Sequence, residues 1–204
     1  MNVKIKFETM FTAGVHWLDK LYMTNYTVNI KMLINSADIQ EQNIAMHRLK
    51  CMLQEQFSNS VFVNQTNQKQ IKQYLAAGVS VSPLPEEPLD QIIGIMLFCK
   101  LNAVMEERLF ITSLDLSSEI GDLIVYTHSE GEAIGPFASE GWWHSEEPIH
   151  NEISKYAKRI NDERIVEMQK KQTWKDYGFH WDYEETPIES TVVYADFPRK
   201  HEDQ

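Results

Sequence analysis

Val3-Lys4-Ile5-Lys6-Phe7-Glu8-Thr9-Met10-Phe11 alternates apolar and charged or polar side chains, and Tyr26-Thr27-Val28-Asn29-Ile30-Lys31-Met32 repeats the pattern up to Ile34. A period of two sends one set of side chains into a core and the other into water, so both stretches read as half-buried strands and as antiparallel neighbours. Asp38 stands three residues before Glu41, close to a capping box, and Met46, Leu49, Leu53 and Phe57 follow at helical spacing. These positions predict a helix over 39–57. A short polar helix is expected within Asn64–Gln73, ending near Gly78.

Pro83, Pro85 and Pro88 form a rigid lead-in to Leu89–Met105, where Leu89, Ile92, Ile93, Met96, Leu97 and Leu101 leave few polar positions. That helix is expected to be buried on most faces. Leu109–Leu116 and Leu123–Tyr126 read as two strands joined by the polar, glycine-bearing stretch 117–122. The order strand, strand, helix, helix, strand, strand implies an α+β fold: an antiparallel sheet with its helices packed on one face.

Two local motifs point to a family. Phe11-Thr12-Ala13-Gly14-Val15-His16 is similar, with one extra residue, to a Phe-x-Ala-x-His pattern, and Asn25-Tyr26-Thr27-Val28-Asn29-Ile30 is similar to the strand that follows a His-x-His. Together with the element order over residues 3–128, they resemble the T-fold of the 6-pyruvoyl-tetrahydropterin and 6-carboxytetrahydropterin synthases. The resemblance implies two strand pairs flanking a helix pair, with subunits around a central barrel. It does not carry the family's metal site across, because Met23-Thr24 stands where the His-x-His ligands belong and only His16 matches a ligand position. One ligand cannot hold a catalytic zinc, which takes three from the protein. The alternative topology is another two-layer sandwich, such as a ferredoxin-like one with an added strand at Val61-Phe62-Val63.

The chain divides into a core domain over 1–128, an acidic Gly/Trp loop over 129–148 and a C-terminal extension over 149–204. Residues 1–110 carry ten basic and ten acidic side chains, so the net charge of -11 comes wholly from the remainder. Between Leu109 and Ser154 there is no Lys or Arg. Such a surface suits a basic partner or divalent cations and repels phosphates, which disfavours nucleic acid. No apolar run reaches the length of a membrane span, and a cytoplasmic location is expected. Cys51 and Cys99 lack any zinc or CxxC pattern and read as reduced core residues.

Pro148 after Glu146 and Glu147 sets up a helix over about 149–172, with Ile149, Ile153, Tyr156 and Ile160 as its stripe. The aromatic tail that follows is expected to pack, and Thr191-Val192-Val193-Tyr194 to add an edge strand. No GxSxG, P-loop, GxGxxG or HExxH motif is present. The composition points first to a non-catalytic interaction or assembly protein without a cofactor, self-associating or capturing a protein partner. Its candidate anchors are Trp142, Trp143, Trp174 and Trp181, since tryptophan is enriched in interface hot spots. The alternative is a metal-dependent enzyme whose divalent ion is held by His128, His144, His150 and Glu147, clustered in a glycine-bearing segment without a recognised ligand spacing.

Overall fold

The computed structural model describes residues 4–149 and 172–181. Strands β1 (Lys4–Trp17) and β2 (Lys20–Ile34) form one antiparallel hairpin closed by only Leu18 and Asp19. Both strands run further than the alternation 3–11 and 26–34 indicated. Small or polar residues such as Thr12, Gly14 and Asn25 interrupt the hydrophobic signal, yet pairing continues through them, and Thr12 Oγ1 donates to Asn25 Oδ1 at 2.6 Å. Phe11, Ala13 and Val15 face the core beside Tyr26, Val28 and Ile30.

Helix α1 (Ile39–Cys51) starts where expected, with the Asp38 carboxylate accepting from the Gln40 amide at 2.7 Å. The predicted continuation to Phe57 exists as a π-helical turn, Met52–Phe57, which brings Met52, Leu53 and Phe57 all inward. Strand β3 (Val61–Asn64), helix α2 (Gln68–Ala76) and strand β4 (Val81–Leu84) follow. The second helix lies later than the expected 64–73 because Asn64 makes a turn instead, accepting from the Thr66 amide and hydroxyl. Gly78 ends it with φ +76°. Helix α3 (Asp90–Met105), strand β5 (Leu109–Ser118) and strand β6 (Tyr126–Ser129) complete the domain. The last strand was expected at 123–126 and starts three residues later, so Leu123–Val125 stand outside the sheet.

The six-stranded sheet has the order β4-β3-β1-β2-β5-β6. Two features correct the sequence reading. The sheet is mixed, because β1 with β3 and β3 with β4 are parallel pairs. A helical crossover between β3 and β4 demands that direction, since the chain must return to the same end before re-entering the sheet. Helices also cover both faces. Phe62 and Leu84 join the main core with α1 and α3, whereas Val61, Val63 and Val81 point the other way, onto Leu75, Ile71 and Tyr74 of α2. Pro83 fits within β4 because that strand is at the sheet edge.

Residues 129–149 and 172–181 contribute Phe137, Trp143, Trp174 and Trp181 to the same core as the first 128 residues. The expected helix, apart from its ends, and the expected strand 191–194 lie outside the described residues. Among the described residues no helix is long and apolar enough to cross a membrane.

Candidate functional site

A polar assembly lies where α3 turns into β5. Glu106 and Glu107 adopt left-handed φ values of 46° and 65°, which swing the Glu106 carboxylate back toward α1. Arg48 meets it from α1, only 1% exposed, with Nη1 donating to Glu106 Oε1 at 2.6 Å and Nε to the Phe179 carbonyl at 2.7 Å. Trp181 Nε1 donates to the same carboxylate oxygen at 2.9 Å. Two guanidinium groups lie over the Trp181 ring, Arg48 at 4.0 Å and Arg108 at 4.3 Å from its centroid, and the Trp174 ring centroid stands 5.0 Å from Arg48. Planar guanidinium on an indole face is a favourable cation–π arrangement, strengthened by desolvation. Phe179 stacks on His47 and Tyr177 accepts from Gln56 Nε2, so residues 172–181 form a strap bound along α1.

A second assembly fixes the Gly/Trp loop. Lys100 sits within the apolar helix α3 at 1% exposure, and its ammonium donates to the carbonyls of Trp142 at 3.1 Å, Ser145 at 2.7 Å and Glu147 at 2.6 Å. Three acceptors match the three N–H groups of an ammonium. Burial pushes its pKa down to about 7, with Glu146 and Glu147 pulling the other way. Trp142 Nε1 is anchored on the Pro83 carbonyl, Trp143 Nε1 on those of Phe137 and Ser139, and Trp174 Nε1 on that of Glu146 at 2.5 Å. Gly141 is required beside them, since a Cβ there would run into the Trp143 ring. Strap and loop therefore hold each other.

The tryptophans expected to reach a partner are thus internal. Trp143, Trp174 and Trp181 are buried, Trp142 is half-buried, and all four indole N–H groups are satisfied within the chain. Neither Arg48 nor Lys100 was picked out as a site residue from the sequence. The available signal for Lys100 was a lone cation inside Leu97-Phe98-Cys99-Lys100-Leu101, where a buried charge must find partners.

Among the described residues, the metal-ligand candidates His128, His144 and Glu147 do not gather into one site. His128 faces α3 from β6, its ring edge-on to Phe98 at 4.7 Å and its Nδ1 3.4 Å from Glu132 Oε2, while Nε2 is buried without a hydrogen-bond partner. His144 Nε2 donates to the Phe137 carbonyl at 2.6 Å, and Glu147 has one buried, unpartnered carboxylate oxygen. His150 lies outside the described residues. Among the described residues, no three His, Cys, Asp or Glu side chains form a metal-binding group. His16 bonds through Nδ1 to the Tyr74 hydroxyl at 2.8 Å. Burial pushes the Cys51 thiol up to about 12, with Glu55 adding to it, and the Cys99 thiol up to about 11, which favours the neutral thiol at both positions.

Burial lowers the pKa of His128, opposed by Glu132. The unfolded chain therefore takes up a proton more readily than the folded one as pH falls through the ordinary histidine range, and folding stability declines there. A His128→Gln variant is expected to show a flatter stability-versus-pH profile below about pH 6.5, measurable by urea unfolding at stepped pH.

The outer surface has its own pattern. Among the described residues, twelve large hydrophobic side chains are exposed. Trp17, Leu18, Leu21 and Met23 lie at or near the tip of the β1–β2 hairpin, and Ile120 and Leu123–Val125 in the β5–β6 connection, with Tyr126 opening β6. The connection meets β2 below the tip, where Glu119 N donates to the Asn25 carbonyl at 3.3 Å and Ile120 N to Thr24 Oγ1 at 3.4 Å.

Among solved structures, the chain is similar to a catalytic-residue mutant of Plasmodium vivax 6-pyruvoyltetrahydropterin synthase, with 12% identity and a TM-score of 0.40. The match covers 63% of this chain and 97% of that one. The likeness to the T-fold is weak and partial. No protein-family model and no curated protein matches the chain.

Proposed function

We propose that the chain is a non-catalytic interaction or assembly protein whose contact surface is the apolar end of its sheet. The observation that carries this reading is the grouping of nine of the twelve exposed large hydrophobic side chains at the hairpin tip and the β5–β6 connection. Contiguous apolar surface on a folded domain marks a contact site, whereas scattered single residues do not. The tryptophans serve that surface indirectly, by holding the loop and strap against the core. The metal-dependent reading draws on the unpartnered His128 Nε2 and on His150.

Native mass spectrometry of the full chain compares the two readings in one spectrum. Species heavier than the 23.8 kDa monomer, free of metal, are expected, and Leu123→Asp is expected to dissolve them. Association untouched by Leu123→Asp would remove the apolar end from consideration. One metal ion per monomer would favour the metal-dependent enzyme.

A further inference from the structure

The strap of residues 172–181 is joined to the body by side chains and single carbonyls, not by a strand ladder. Among the described residues four hydrogen bonds dock it: Arg48 Nε to the Phe179 carbonyl, Gln56 Nε2 to the Tyr177 hydroxyl, Trp181 Nε1 to Glu106 Oε1 and Trp174 Nε1 to the Glu146 carbonyl. Its own shape is held separately. Thr173 N and Oγ1 donate to Asp176 Oδ2 at 2.8 and 3.0 Å, the Tyr177 hydroxyl to Gln172 Oε1 at 2.8 Å, and Phe179 N to the Trp174 carbonyl at 2.8 Å. Lifting the strap as a unit breaks none of these. The body is equally self-sufficient, because Arg48 Nη1 keeps Glu106 Oε1 at 2.6 Å and the Val104 carbonyl at 3.3 Å. A buried charge stripped of its partners is what makes most such openings costly, and here the pair stays on the body.

We infer that residues 172–181 are a lid that lifts from α1 while the sheet and its helices stay folded, and that Cys51 is a side chain the lid screens. Cys51 is 4% exposed with the strap down. Tyr177 lies beside it, since burial raises the Tyr177 pKa most and the Cys51 thiol next. Trp174 and Trp181 are buried in the closed form and keep it dominant, so the open form is a minor population of the folded chain. The device sets the access to one face of α1. Closed, the Cys51 thiol is covered and held neutral by burial; open, it meets water and ionises as an ordinary thiol does. Cys99 supplies the reference. It is buried on α3, a helix with most of its residues in the core, and is uncovered when that helix leaves the sheet.

The test labels the folded full-length chain with N-ethylmaleimide at stepped urea concentrations, with the reagent dilute enough that the lid recloses many times before reaction. Peptide mass spectrometry reads Cys51 and Cys99 separately, and each rate is divided by that of the same thiol in the unfolded chain. Without urea, Cys51 is expected to react at least about tenfold more readily than Cys99. Its protection should change little at low urea, because lifting a short segment exposes little surface, whereas that of Cys99 should fall with the slope of global unfolding. Trp181→Phe removes one docking bond and should raise Cys51 labelling by about five- to thirtyfold, still with little dependence on urea. A Cys51 protection that falls in the parent as steeply as global unfolding would overturn the lid, since the strap would then leave only when the whole chain unfolds. A urea-insensitive Cys51 rate that Trp181→Phe leaves unchanged would also overturn it, since α1 would then open without the strap.

Discussion

Trp181→Ala is expected to lower folding stability by about 3–5 kcal/mol, the range for truncating a buried large aromatic. For a chain of this length that corresponds to a fall of roughly 10 °C in the unfolding midpoint. The effect has three sources. The indole is 1% exposed, so its removal leaves a cavity. Arg48 and Arg108 each lose a cation–π contact with the ring. Glu106 Oε1 also loses the indole donor. Trp181→Phe keeps much of the apolar contact and removes the N–H, so a loss of about 1–2 kcal/mol is expected. Thermal unfolding of the two variants checks the order. A Trp181→Ala chain as stable as the parent would show that the strap contributes nothing to the fold.

Lys100→Met is the second large effect. Methionine fills similar apolar volume but leaves the carbonyls of Trp142, Ser145 and Glu147 without their shared donor. Each orphaned buried acceptor costs about 1–3 kcal/mol unless it reaches water. Opening of the loop caps the total, so a loss of about 3 kcal/mol is expected, with a red shift of the Trp142 and Trp143 emission and little change in far-UV dichroism. The parent also has a pH signature. The folded pKa of Lys100 lies at about 7, against 10.5 for a free lysine. Between those values the unfolded chain binds more protons than the folded one, so this group makes stability rise as pH rises from about 7 toward 10.5. Lys100→Met should lack that rise. An unchanged slope in the variant would assign the pH dependence to other groups.

Much of the fold was legible because it rests on periodicity. The two strands 3–11 and 26–34, the Asp38 cap and the apolar run 89–105 each express one period over many residues. What escaped was short or depended on distant partners. Val81-Ser82-Pro83-Leu84 gives four residues with a proline, which reads as a lead-in to a helix and acquires strand character only by pairing with β3. The parallel direction of that pair, and the side of the sheet on which α2 lies, are set by crossover geometry rather than by composition. The site was less legible than the fold. Tryptophan enrichment in 142–181 signalled large contact area correctly, but composition does not distinguish an indole that meets a partner from one that meets Arg48 in its own chain. The exposed leucines at 18 and 123 gave no signal either, since apolar residues in a strand-rich stretch read as core.

The strap also constrains the time course of folding. Arg48 donates to the carbonyl of Phe179, 131 residues later in the chain. At synthesis rates of roughly 5–20 residues per second, Arg48 leaves the ribosome on the order of ten seconds before its cover exists. During that interval the Arg48 guanidinium has Glu106 and the Val104 carbonyl to meet but lacks the cover of Trp174 and Trp181. The contacts of Phe179 and Trp181 with Arg48 and Glu106 therefore form only after the strap has been synthesised, and they are among the last to complete the fold.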